Sequence, residues 1–127
     1  MAIKSALEML ATANAEIETL SAQEVMALAG RPGVLLVDVR ETLEVQQSGR
    51  IAGAEHVPRG LLEFQADPEM PMHNPALAPE ARLILYCASG GRSALAAKTL
   101  KDMGYPDVCH LGGGFGAWTA AGGPVED

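Results

Sequence analysis

A chain of 127 residues, 48% hydrophobic but only 4% aromatic, has material for one core filled by aliphatic side chains, with no need of disulfides or metals to hold it. The net charge of −7, with no cluster of Lys or Arg, argues against nucleic acid or an anionic membrane as partner. No run of about 18 apolar residues is present, and Met1-Ala2-Ile3-Lys4 lacks the basic and apolar regions of a secretion signal, so a cytoplasmic protein is expected.

In chain order, Leu7, Met9 and Leu10 recur at roughly helical spacing within Lys4 to Ala13, and Ile17 to Leu20 reads as a short edge strand. Ser21-Ala22-Gln23-Glu24 matches a capping box and opens a helix through Ala29, which Gly30-Arg31-Pro32-Gly33 ends. The aliphatic run Val34 to Val39, interrupted only by Asp38, is the pattern of a strand covered on both faces of a parallel sheet. Glu41 to Ser48 predicts a short helix stopped by Gly49, and Ala54 to Val57 a small strand closed by Pro58. From Gly60 onward, an apolar turn at Leu61 to Phe64 leads into a segment carrying Pro68, Pro71, Pro75 and Pro79; residues 60–80 are expected to form a Pro-rich surface loop. Regular structure resumes with a second buried strand, Arg82 to Tyr86, and a helix from Ala94 to Met103 capped by Gly104. A last strand at Val108 to Leu111, a short helix carrying Phe115 and Trp118, and the terminator Gly122-Gly123-Pro124 complete the pattern. Strands alternating with helices predict one α/β domain over residues 1–127, with residues 1–17 as a helical extension and sites beyond the carboxyl ends of the strands.

Cys87-Ala88-Ser89-Gly90-Gly91-Arg92-Ser93 stands at such an end, between a strand and a helix. The first amides of a helix have no intrahelical partners and carry the positive end of its dipole, so a thiol placed there ionises readily. Gly90 and Gly91 permit backbone angles that turn several N–H groups toward one point, and Arg92 adds a fork of donors. The loop reads as a receptor for an oxyanion or a charged sulfur species; the competing reading is a buried strand-end cysteine followed by an ordinary glycine turn. Asp38 also ends a strand, and the topology allows it to neighbour Cys87. Cys87 and Cys109 are expected to be free thiols, and neither they nor the scattered His56, His73 and His110 show the close spacing of a metal site. No metal or cofactor is called for.

Several segments together resemble a single-domain rhodanese, a sulfurtransferase that carries sulfane sulfur as a cysteine persulfide. They are Val37-Asp38-Val39-Arg40-Glu41 with Glu44, Gly49 to Ala54, the loop Cys87 to Arg92, and Leu111-Gly112-Gly113-Gly114 with Trp118 and Gly122-Gly123-Pro124. The resemblance implies a five-stranded parallel sheet flanked by helices on both faces. It implies Cys87 as the sulfur-accepting nucleophile and Ala88, Ser89, Gly90, Gly91, Arg92 and Ser93 as the cradle of the bound sulfur, with Arg92 holding an arriving or departing anion. Asp38 is expected to help hold the loop and Arg40 to pair with a carboxylate such as Glu44, both in structural roles. The implied partners are a small sulfur-containing anion or persulfide as donor and a thiol, protein or cyanide as acceptor.

Arg50 and Ala52 stand where the family often has histidine and proline, and Ala88 where many thiosulfate-using members carry a basic residue. Cys109 is expected to be a buried, inert thiol. Two rival functions remain in view. One is a phosphatase, whose Cys-x5-Arg loop is one residue longer than the spacing of four residues between Cys87 and Arg92. The other is a noncatalytic or redox- and persulfide-sensing module.

Overall fold

A computed structural model describes residues 2–127. Its centre is a five-stranded, wholly parallel sheet in the order β1 (Glu18–Leu20), β6 (Val108–Leu111), β5 (Arg82–Tyr86), β2 (Val34–Asp38), β4 (Glu55–His56). The aliphatic strands β2 and β5 lie side by side in the middle, where both faces of each are covered. On one face Val37, Leu83 and Leu85 pack with Leu62, Leu77, Ala96, Ala97 and Leu100. On the other, Leu36, Ile84 and Tyr86 pack with Val25, Ile51 and Trp118. The helices responsible are α1 (Ala6–Glu16), α4 (Leu62–Ala66) and α5 (Gly91–Met103) on the first side, and α2 (Ala22–Leu28) and α6 (Gly114–Ala120) on the second.

Local chemistry sets most of the helix ends. The Ser5 side chain accepts the Glu8 N–H at α1, and Ser21 and Glu24 close the reciprocal box expected at α2. Gly104, at φ 111°, ends α5 in the left-handed conformation. α3 (Thr42–Ser48) buries none of its residues and lies beyond the carboxyl end of β2, where its outer surface is free to face the site.

Two expectations need correction, and one pairing has no counterpart in the sequence pattern. Residues 60–80 are not simply a loop: a 3-10 turn at Arg59–Leu61 runs into α4, and Leu62, Ala66 and Leu77 are fully buried. The prolines exclude a long helix, but five residues of helix fit before Pro68. His73, without a visible partner in the sequence, bonds the Gln65 carbonyl through Nδ1 at 3.1 Å. Second, α5 begins at Gly91 rather than Ala94, because Gly90 at φ 112° serves as its N-cap and brings Arg92 and Ser93 into the first turn. In addition, β3 (Arg50–Ile51) pairs antiparallel with β7 (Val125–Glu126), closing the carboxyl terminus against the segment after α3. Two-residue strands have no periodicity to read.

Candidate active site

The register of the sheet places the site. Asp38 ends β2 level with Tyr86 at the end of β5, and the Val39 N–H donates to the Tyr86 carbonyl at 2.9 Å. Cys87 is the next residue after Tyr86, so it emerges at the carboxyl edge of the sheet between β2 and β6. The loop is held from below by α6. Phe115 N–H donates to the Cys87 carbonyl at 2.8 Å and Gly116 N–H to the Ala88 carbonyl at 3.2 Å. This close approach is what requires glycine at 114, where φ is +57° and any Cβ would overlap the Cys87 carbonyl and the Ala88 backbone.

Cys87 itself is 1% exposed. Its Sγ accepts the Gly90 N–H at 3.1 Å and lies 3.6 Å from Ser93 Oγ. Burial pushes its thiol up, but the amide and hydroxyl of Ser93 and the amides of Gly90 and Ser89 overturn that effect, leaving the thiol below its ordinary range. Ala88 and Ser89 face solvent, Gly90, Gly91 and Arg92 are half-buried, and Ser93 is buried. Of the predicted cradle residues, Gly90 and Ser93 contact the sulfur and Ser89 and Arg92 also act on it, while Ala88 and Gly91 make no hydrogen bond to it; the sulfur sits against the first turn of α5.

Arg92 does not stand free over the sulfur. Its Nη1 and Nη2 donate to the two carboxylate oxygens of Glu44 at 2.6 and 2.8 Å, a two-pronged clamp between α5 and α3. The same contact lowers the Glu44 carboxyl to about 2 and raises Arg92, whose charge also faces Cys87. Arg40, expected to pair with a carboxylate such as Glu44, does take a carboxylate, but Glu44 is not the one. Arg40, 2% exposed, takes fully buried Asp38 instead, with Nε at 3.0 Å from Oδ1 and Nη2 at 2.8 Å from Oδ2. Its remaining donors reach Ser48 Oγ at 2.9 Å and the Gly49 carbonyl at 2.6 Å, while its guanidinium stacks 4.3 Å from the Phe115 ring centroid. The residue nearest Asp38 in sequence wins because it shares the same buried turn. Asp38 consequently acts on the loop only at a distance: through Arg40 it fixes the carboxyl-terminal end of α3 and the face of α6 that carries Phe115.

Two hollows flank the cysteine loop. One of about 320 Å³ is lined by Arg40, Glu44, Gln47, Ser48, Ala88 and Phe115. The other, of about 380 Å³, lies on the α1 side and includes Leu10, Asn14, Thr19, Ser89, Gly90 and His110. In the sequence His110 is one of three scattered histidines, with no spacing that marks it as part of a site. It is 3% exposed, and its Nδ1 is 2.9 Å from Ser93 Oγ. A polar residue at the third position of an otherwise apolar strand was the available signal. Cys109, one residue earlier, is buried with no disulfide, and burial pushes its thiol up to about 11. No helix is long and apolar enough to cross a membrane among the described residues.

A cysteine at the end of a central parallel strand, ringed by the amides of the following helix, defines a class of protein, and residues 21–121 match the rhodanese-like domain family: the chain belongs to that family. It is similar to a sulfurtransferase of Allochromatium vinosum, 35% identical over 98 residues that span 77% of this chain and 83% of the relative. Among solved structures, a Rhodopseudomonas palustris protein of unknown function, described as a possible tyrosine phosphatase, is 44% identical with a TM-score of 0.94 over 99% of this chain and 97% of that one. A thiosulfate sulfurtransferase of Pseudomonas aeruginosa is 30% identical with a TM-score of 0.75; the match covers 95% of this chain but 22% of the larger protein. The rhodanese-like fold and its sulfurtransferase relatives support sulfur transfer as the general activity.

Proposed function

We propose that the protein is a rhodanese-type sulfurtransferase in which Cys87 carries sulfane sulfur as a persulfide. The observation that carries this reading is the Gly90 amide on a nearly inaccessible Sγ whose thiol nevertheless sits below its ordinary range. Donors converge on one sulfur atom, so a charged sulfur, whether thiolate or the terminal atom of a persulfide, is stabilised there.

The cycle is two displacements. Cys87 thiolate attacks the outer sulfur of a donor such as thiosulfate; the new S–S bond forms as the old one breaks, and sulfite leaves with the electron pair. A thiophile, cyanide or a thiol, then attacks the outer sulfur of the persulfide and returns Cys87 as thiolate. Arg92 would steady the anionic donor or leaving group from its position on Glu44, and the loop amides from Ala88 to Ser93 would hold the outer sulfur. Ala88 supplies no positive charge, and a net charge of −7 opposes capture of anions at long range. Turnover with thiosulfate should therefore be slow and should respond to salt, with a persulfide donor the faster substrate.

The description of the Rhodopseudomonas palustris protein favours one other reading, a cysteine-dependent phosphatase. Two features weigh against it. Four residues between Cys87 and Arg92 make a ring fitted to one sulfur rather than a tetrahedral phosphate, and Arg92 is already engaged by Glu44 at 2.6 Å.

Incubation of reduced protein with thiosulfate or a persulfide donor, followed by intact-mass and peptide analysis, tests the proposal. The expected result is one added sulfur on Cys87, removed by cyanide and absent in Cys87→Ser. A sulfur that loads but that neither cyanide nor thiols discharge would point to a persulfide sensor, and Cys87-dependent hydrolysis of an aryl phosphate to a phosphatase. Both outcomes would overturn the sulfurtransferase assignment.

A further inference from the structure

The buried His110 is unused by the cycle above, yet it is tied to the nucleophile through one hydroxyl. We infer that Ser93 and His110 form a proton relay to Cys87, with His110 the positioning residue that receives the thiol proton and fixes the Ser93 hydroxyl. This inference rests on Cys87 being the nucleophile, and it adds how that thiol is ionised.

The distances make a continuous chain. Cys87 Sγ is 3.6 Å from Ser93 Oγ, Ser93 Oγ is 2.9 Å from His110 Nδ1, and His110 Nε2 is 3.0 Å from Thr19 Oγ1 and 3.2 Å from Asn14 Oδ1. Four separate elements meet there: α5 brings Ser93, β6 brings His110, α1 brings Asn14 and β1 brings Thr19. In the thiol state, S–H donates to Ser93 Oγ, the Ser93 hydroxyl donates to Nδ1, and Nε2–H donates to Asn14 Oδ1 or Thr19 Oγ1. In the ionised state the proton of sulfur has moved to Ser93 Oγ as the proton of Ser93 moved to Nδ1. Cys87 is then a thiolate accepting from Ser93, and the ring is an imidazolium whose two N–H groups donate to Ser93 and Asn14. One proton has changed place at each link, and none is created or lost.

Burial alone opposes a charge on this ring and lowers its pKa, so the imidazolium exists only in partnership with the thiolate. The charges on the surrounding elements do not supply that partner. Glu16 of α1 is 3.5 Å from Lys98 of α5, Glu18 of β1 is 2.6 Å from Arg82 of β5, and Glu44 of α3 is held by Arg92. Arg92 faces Cys87 and favours its ionised form. The proton has an exit. The hollow of about 380 Å³ on the α1 side is lined by His110, Asn14 and Thr19, and the last two are exposed to solvent.

Two measurements on the full chain test the relay without requiring sulfur transfer. NMR titration of the His110 ring, compared between the unmodified protein and Cys87→Ala, reads the coupling from the histidine side. The expected result is protonation at a pH about one unit lower in Cys87→Ala, since the thiolate that favours the imidazolium is gone. Superimposed titration curves would overturn the relay. From the sulfur side, the rate of Cys87 alkylation by iodoacetamide is followed against pH in His110→Asn, which retains a hydrogen-bonding group toward Ser93 but cannot hold the proton. About tenfold slower alkylation near neutral pH is expected, with the profile moved to higher pH by about one unit; an unmoved profile in a folded variant would assign His110 a purely structural role. If His110→Asn does not fold, the ring titration decides alone. Loss of persulfide formation with the coupling intact would instead overturn the sulfurtransferase reading and leave the relay standing.

Discussion

Cys87, just beyond the end of β5, and Cys109, inside the adjacent strand β6, are equally buried, at 1% exposure each, yet their thiols are displaced in opposite directions. Cys109 lies inside β6, where the strand amides are consumed by the ladder with neighbouring strands. Its sulfur lies 3.9 Å from the Leu83 carbonyl, an acceptor that suits only the protonated form. Burial raises it, and the nearby Arg82 offsets only part of that rise. Cys87 has just left β5, and the amide of Gly90, the N-cap of α5, is free of the ladder and donates to its sulfur. The two thiols differ through the polar groups that face each sulfur, not through depth.

The strongest way to break that comparison is to exchange each thiol for a hydroxyl. Cys87→Ser is expected to abolish persulfide formation and cyanide-dependent turnover, while Cys109→Ser retains turnover close to that of the parent, read by the same thiosulfate assay. Equal losses would mean that depth, or a shared role of both thiols, governs the chemistry after all. The next largest effect concerns the support of the loop. Gly114→Ala should cost about 2–4 kcal/mol in chemical denaturation, since the residue adopts a left-handed φ and its Cβ overlaps the Cys87 carbonyl. Alkylation of whatever folded protein remains should be slower, because the carbonyls of Cys87 and Ala88 hang on the amides of Phe115 and Gly116.

The two thiols also give opposite slopes of stability against pH. Cys109 ionises near its ordinary value in the unfolded chain but only at about 11 when folded. Its contribution is present below about pH 9 and lost between there and about pH 11, worth about 2–3 kcal/mol. Cys87 is lowered in the folded state, so its contribution is present above its ordinary range and lost as pH falls through its folded value. Denaturant midpoints measured from pH 6 to pH 11 should thus flatten on the alkaline side in Cys109→Ser and on the less alkaline side in Cys87→Ser. A parallel displacement of both curves would show that the two environments do not differ.

How much of this was legible beforehand follows from how local each interaction is. The central strands and the cysteine loop could be read because aliphatic runs, glycine pairs and capping residues act over a few positions, and β1 was correctly placed at an edge. The contacts that complete the site cross the chain. Ser93 and His110 are 17 residues apart and meet only because α5 returns along β6; Arg92 and Glu44 are 48 apart. The sequence shows two arginines and two carboxylates near the site, but their pairing depends on the turn after β2. There Arg40 folds back on Asp38 and leaves Glu44 to Arg92. Likewise, a loop dense in proline conceals the short helix α4, which packs against Tyr105, whose hydroxyl lies 2.8 Å from both the Ala66 and the Leu77 carbonyl and donates to one of them at a time.

The smallest expected effect tests whether Arg92 contributes charge to Cys87 or only ties α5 to α3. The ion pair with Glu44 is intact above about pH 4.5 and is lost as pH falls toward about 2, the value to which the contact lowers Glu44. Both partners are substantially exposed, at 40% and 34% of their side chains, so solvent screening leaves Glu44→Gln a stability loss below about 1 kcal/mol. The effect on the sulfur should be of opposite sign. Removing the carboxylate leaves the guanidinium uncompensated while its field still reaches Cys87. Alkylation of Cys87 near neutral pH should then become about two- to threefold faster at low ionic strength, and the gain should fade as salt screens the exposed charge. An unchanged rate at low salt would make Arg92 a strut, with the loop amides and Ser93 carrying the whole difference between the two cysteines.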